Sequence, residues 1–302
     1  MTFAPLVQFW RQRVPPPVQG AVLMLGAALG FSLMAGLIRA ASTELHPLQI
    51  VFFRNAFALA FTLPWLLRVG GAGLRTGRIK LHLARAGLGL CAMSCWFSAV
   101  TLLPLAQAIA LNFLVPLFAT AAAALLLHEL VGPRRWTATA VGFLGVLVIV
   151  RPGVESVTLA TGLPVLAAAF MALAAVSVKA LARTDSPGAI VFYMNLFLTP
   201  LSLGPALLVW DWPAEPRTWA AVVAVGFLAV VAQQFLTRSY QRADASAVVP
   251  FQYARLPFSA AIGYAFFDET PDVWTFVGAA IIAGAAVYIA RREARLESDR
   301  VR

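Results

Sequence analysis

Charge is scarce in this sequence. Only 12% of its 302 residues are Asp, Glu, Lys or Arg, about half of what a soluble domain carries. Apolar residues make up 61%, and the mean hydropathy is +0.81. A soluble fold of this length is excluded, and so is a disordered chain, which needs low hydrophobicity. Cysteine is nearly absent. Cys91 and Cys95 stand four apart in an apolar run, with no His or third Cys to complete a metal site, and read as small buried residues. The three histidines, His46, His82 and His128, fall at the ends of apolar runs. None of the 13 carboxylates lies in the middle of one. Hydrolytic and metal-assisted chemistry needs clustered His, Asp or Glu, so the sequence predicts no enzyme, no cofactor and no metal. The Gly71–Gly77 loop lacks the Gly-Lys-Ser/Thr ending of a phosphate-binding loop.

Long apolar runs are what the sequence has instead. A helix crossing a bilayer takes about 20 apolar residues, and ten candidates follow one another: 18–40, 47–68, 82–103, 105–127, 134–151, 159–182, 187–210, 217–239, 245–267 and 273–290. They are continuous rather than alternating, which excludes a membrane β-barrel and leaves helices as the structure that satisfies the backbone in lipid. The predicted fold class is an all-α polytopic membrane protein with ten transmembrane helices. No cleavable signal is expected, because Val18–Ile38 is long enough to span.

The net charge of +10 arises from 23 Lys and Arg against 13 Asp and Glu. Anionic lipid and the positive-inside rule account for it without nucleic acid. Eighteen basic residues fall on the side of the N-terminus, among them Arg78, Lys80, Arg134, Arg183 and the C-terminal cluster from Arg291. Three, Arg39, Arg151 and Arg217, fall on the other side, and Arg54 and Arg255 lie inside spans. This split predicts that both termini are cytoplasmic.

The chain also repeats itself. At an offset of 140, Pro47, Val51, Phe52, Asn55 and Phe57 meet Pro187, Val191, Phe192, Asn195 and Phe197. Glu129 and Arg151 meet Glu269 and Arg291 at the same offset. Each repeat holds five spans, an odd number, so the second copy enters the membrane from the opposite side. The result is a 5+5 inverted repeat, an architecture of secondary transporters whose substrate site lies near the midplane between the halves. The expected organisation is a cytoplasmic segment over 1–17, repeats over 18–151 and 159–291, and a cytoplasmic tail over 292–302.

Several segments resemble the drug/metabolite transporter superfamily in its ten-helix EamA-type branch. They are FFRNAFALAFTLPWLL in span two, WFSAVTLLPLAQAIALNFLVPLFATAAAALLLHELVGPRRW across spans three to five, VGFLGVLVIVRPG, and the echo ADASAVVPFQYARLPFSAAIGYAFFDETPDVWTFVGAAIIAGAAVYIARRE. The resemblance implies a central cavity lined mainly by helices three, four, eight and nine, and carriage of a small metabolite, often outward. The character is most like that of bacterial exporters of aromatic and neutral amino acids. A carrier of S-adenosylmethionine, another metabolite or a drug has much the same pattern. A multi-pass protein of a bacterial inner membrane follows, with a homo-oligomer left open.

The polar residues inside the spans supply the candidate site. Arg255, in Pro250–Pro257 of span nine, is costly at that depth unless it faces water or a partner. Gln252 shares its face on a continuous helix. Asn112 in span four, Trp96 in span three and Tyr253 complete the expected substrate contacts, with Gln233 and Gln234 at the inner mouth. A structural alternative bonds Arg255 to Tyr264 or to a carbonyl. Arg54, Asn55 and Asn195 are expected to join helices, since polar side chains hydrogen-bond across membrane helix packings. With no carboxylate at mid-membrane, facilitated diffusion or exchange is expected rather than proton antiport. Gly142 and Gly145 of span five and Gly278 and Gly284 of span ten are expected to let those spans approach closely.

Overall fold

A computed structural model describes residues 15–69, 76–126, 133–151, 158–181, 184–185, 187–242, 248 and 251–301. Among these the regular structure is helical, with no strand. The helices are α1 Pro16–Ala41, α2 Pro47–Val69, α3 Ile79–Leu102, α4 Leu105–Asn112, α5 Val115–Leu126, α6 Pro133–Val150, α7 Leu159–Leu181, α8 Pro187–Leu207, α9 Pro216–Arg242, α10 Arg255–Phe267 and α11 Val273–Val301. Proline opens α1, α2, α6, α8 and α9, where its missing N–H costs nothing and its fixed φ suits the first turn. Six stretches are long and apolar enough to cross a membrane: Val18–Ala41, Ile79–Leu102, Leu105–Ala122, Leu159–Val178, Ala189–Leu207 and Pro216–Arg242. Pro47–Leu63, Trp136–Val150 and Val273–Ala285 are shorter apolar helices.

Two expectations need correction, on spans four and nine and on the cysteines, and the helical course of the tail is an addition to them. Span four is two helices, α4 and α5, and span nine is broken ahead of α10, so neither is continuous. The predicted tail carries α11 on to Val301. Cys91 is exposed and Cys95 half-buried against the core, so the two are not both buried as expected.

The helices pack as an inverted repeat requires. α1 lies against α9 and α3 against α7, and exchanging the two halves converts one pair into the other. The same exchange converts α2·α9 into α8·α3 and α1·α10 into α7·α5. α2·α8 and α6·α11 map onto themselves. α4 sits at the centre: all but Gln107 of its residues are buried, as expected of a helix that is apolar all round. α6 and α11 touch through Gly145 and Gly278. A Cβ on Gly145 would stand 2.8 Å from the Gly278 carbonyl oxygen, and one on Gly278 2.5 Å from that of Gly145. The contact forms within one chain. Gly142 instead faces Leu117 of α5, and Gly284 meets nothing, so only two of the four predicted glycines hold this interface.

Ion pairs close the two ends of the bundle differently. On the face opposite the basic loops, Arg39 Nη1 lies 2.5 Å from Glu269 Oε1 and donates to the Leu103 carbonyl at 2.6 Å, while Phe267 lies under its guanidinium at 5.3 Å. Glu269 Oε2 accepts the Leu105 N–H at 2.8 Å. On the basic face, His82 Nε2 meets Asp185 Oδ2 at 2.7 Å, and both side chains are buried. Asp185 also accepts the hydroxyls of Thr76 at 2.5 Å and Thr184 at 2.8 Å. The hydrogen bonds from Thr76 and His82 hold its carboxyl down at about 2.

Candidate functional site

The two breaks fall at equivalent places. In span four, the Phe113 and Leu114 N–H groups reach back only three residues, to Ala110 and Leu111 at 3.2 Å each. In span nine, Ala254 reaches Phe251 at 3.2 Å and Leu256 reaches Tyr253 at 3.0 Å. Turns therefore occupy 113–114 and 253–254, an offset of 140. Pro116 and Pro257 follow closely, and each lacks the N–H and has the ring that disrupts a helical ladder at this point. The breaks also meet each other. The rings of Phe113 and Tyr253 stand edge to face with centroids 4.7 Å apart.

At matched positions the second half is the more polar. Asn112, Phe113 and Val115 in span four become Gln252, Tyr253 and Arg255 in span nine. Arg255 opens α10. Its Nε is buried with no hydrogen-bond partner, and its guanidinium carbon sits 5.2 Å from the centre of the Phe31 ring on α1. Ser32, fully buried, donates its hydroxyl to the Arg255 carbonyl at 3.2 Å. The Tyr253 hydroxyl is likewise buried and unbonded. A half-buried guanidinium whose buried Nε is unpaired and a buried phenol hydroxyl, beside two aromatic rings, can take a ligand that brings acceptor atoms and a flat apolar face.

The predicted residues divide into three groups. Asn112 and Arg255 flank the two turns that meet through Phe113 and Tyr253, and Trp96 belongs to the same apolar cluster as Phe113 and Tyr253. Asn112 is buried, with Nδ2 3.6 Å from Met171 Sδ on α7. Gln252 is half-buried, but a turn separates it from Arg255; the shared-face argument from a continuous helix does not hold. Gln233 and Gln234 stand apart, exposed on α9. Arg54 Nη1 donates to Asn55 Oδ1 at 2.8 Å, and Asn55 Nδ2 reaches Ser202 on α8 at 3.4 Å. Asn195 is buried, and its carbonyl accepts from Thr199 at 2.8 Å. The suggested Arg255–Tyr264 contact is absent, because Tyr264 is 68% exposed. Phe31, Ser32, Phe113 and Met171 were not anticipated. Carrying Gln252 and Tyr253 back by 140 residues would have pointed to Asn112 and Phe113 as a pair.

Comparison with known proteins fits this architecture. The model of the EamA-like transporter family matches residues 18–151 and again 159–291. The chain belongs to the EamA-like transporter family. It is 36% identical over 283 residues to a riboflavin transporter of Vibrio cholerae, covering 92% of this chain and 95% of that protein. It is 32% identical over 276 residues to a pseudopaline exporter of Pseudomonas aeruginosa, covering 90% and 96%. It is 30% identical over 258 residues to an S-adenosylmethionine uptake transporter of Rickettsia prowazekii, covering 85% and 87%. One crystal structure matches with a TM-score of 0.63 at 22% identity, over 90% of this chain and 98% of its own, which shows the fold alone. This EamA-family chain is a multi-pass membrane transporter of small molecules, not an enzyme.

Proposed function

We propose that this transporter carries a small, flat aromatic metabolite, with flavins as the first substrate class, through a site at the junction of the two broken spans. The observation that carries the reading is the meeting of Phe113 and Tyr253 two residues from an arginine whose buried Nε has no partner. Broken helices direct unpaired backbone groups and half-helix dipoles to the midplane, where substrates of inverted-repeat carriers bind. Arg255 and the Tyr253 hydroxyl would take the carbonyl edge of the ring system, Asn112 and Gln252 further polar atoms, and Trp96 and Phe113 the flat face. Gln233 and Gln234 would meet substrate at the inner mouth. The relatives named riboflavin transporters support this class.

A second reading rests on the same arginine. Its charge lacks a carboxylate partner among the described residues and suits the carboxylate of a neutral or aromatic amino acid, with its side chain on Tyr253 and Trp96. Movement by alternating access, in the export direction, and a bacterial inner membrane with both termini cytoplasmic complete the proposal. The test uses purified protein in liposomes. Saturable, trans-accelerated counterflow of riboflavin, unaffected by excess phenylalanine, is the expected result. Phenylalanine counterflow without riboflavin movement would establish the second reading, and movement of neither would remove both.

A further inference from the structure

We propose that Phe31 is a positioning residue for Arg255, holding the guanidinium at the junction and thereby setting substrate preference. The proposal rests on the reading above, in which Arg255 meets substrate. α1 holds this residue at two points. The Ser32 hydroxyl fixes the Arg255 backbone through its carbonyl at 3.2 Å, and the neighbouring Phe31 ring faces the head group at 5.2 Å. A close helix crossing makes both contacts possible: a Cβ on Gly36 would stand 2.8 Å from Ile262 Cγ2 of α10. A desolvated guanidinium is drawn to an aromatic face more strongly than an exposed one, and Nε has no competing hydrogen bond.

The repeat supports a paired role for ring and charge. An offset of 140 places Met171 where the first half has Phe31, and Val115 where the second half has Arg255. Met171 contacts Asn112 through its sulfur. The aromatic ring thus occurs only on the flank that holds the cation. Plain core filling would not need this match, since Met and Phe both fill apolar space.

The test uses the full chain in liposomes and three variants. Phe31→Leu and Phe31→Met remove the ring, and the flexible methionine guards against a folding failure of the first; Phe31→Tyr keeps the ring. Loss of the ring is expected to raise the riboflavin KM about tenfold, within the range of a desolvated cation–π contact, with maximal rate and melting temperature near wild type. Phe31→Tyr should restore the wild-type KM. A second readout needs no substrate: modification of Arg255 by phenylglyoxal, followed by peptide mass spectrometry, should speed up several-fold without the ring and not with tyrosine. Equal modification rates in all four proteins would overturn the proposal, as would a Phe31→Tyr protein that behaves like Phe31→Leu. If wild type moves neither riboflavin nor phenylalanine, the substrate reading fails and the phenylglyoxal rates still decide the role of Phe31.

Discussion

The break in span four and the break in span nine are the same feature built twice, yet only one holds a charge. Both consist of a tight turn followed by proline, and they touch through Phe113 and Tyr253. The first surrounds its turn with Asn112 and Val115, the second with Gln252 and Arg255. Symmetry therefore supplies the scaffold and departures from it supply chemistry. A two-fold copy of Arg255 would bring two cations to one buried junction, where like charges repel and each also carries a desolvation cost.

The comparison breaks most severely if the charge is copied. Val115→Arg should destabilise the protein by about 3 kcal/mol or more, the order of a charge inserted at the bilayer centre. Folded yield and melting temperature would check this, and a variant as stable as wild type would mean that the junction tolerates two cations.

Erasing the charge is the complementary change. Arg255→Gln should lower the transport efficiency for riboflavin or an aromatic amino acid by about 100-fold, the scale of a lost buried charge-assisted contact. Because the guanidinium has no carboxylate partner among the described residues, melting temperature should hold or rise. Discrimination between amino acids and their amides should weaken in the same sample if amino acids are the cargo. A stable Arg255→Gln protein with unaltered preference would remove Arg255 from the site.

The two ends of the bundle offer a second comparison. His82 and Asp185 join α3 to the chain between α7 and α8, whereas Val222 and Leu45, both buried, occupy the equivalent positions at the other end. There Glu44 accepts backbone N–H groups of Ala214 at 3.0 Å and Glu215 at 3.3 Å instead. Asp185→Asn should cost about 2 kcal/mol, the range of a lost charged hydrogen bond. The Asp185 carboxyl is held down at about 2 from an ordinary 3.8. Its contribution is therefore complete above pH 4 and is lost as pH falls towards 2. Melting temperature should drop more steeply over that interval in wild type than in Asp185→Asn.

The smallest change makes the two turns alike. Tyr253→Phe removes a hydroxyl that has no partner and should leave stability unchanged or raise it by up to about 1 kcal/mol. A concomitant three- to tenfold rise in KM, measured by counterflow, would place that hydroxyl against substrate. An unchanged KM would assign it to packing.

Composition and periodicity were enough to set the membrane class, the ten spans and the inverted repeat. Apolar run length and loop charge are local quantities, and the bilayer imposes strict rules on both. The polar residues within spans were legible too, because a charge such as Arg255 stands out against apolar neighbours. Their geometry was not. The two turns lie at the repeat offset of 140, but Pro116 and Pro257 are 141 residues apart, so the prolines alone do not mark the turns as equivalent. The contacts of Arg255 come from Phe31 and Ser32, more than 220 residues away in the chain, and those of His82 from the other half. Only folding brings such residues together, because helix packing depends on shape, such as the close crossing at Gly36, that no local pattern encodes. The sequence by itself determined which segments enter the membrane and in what order; the tertiary structure decided which side chains meet at the junction.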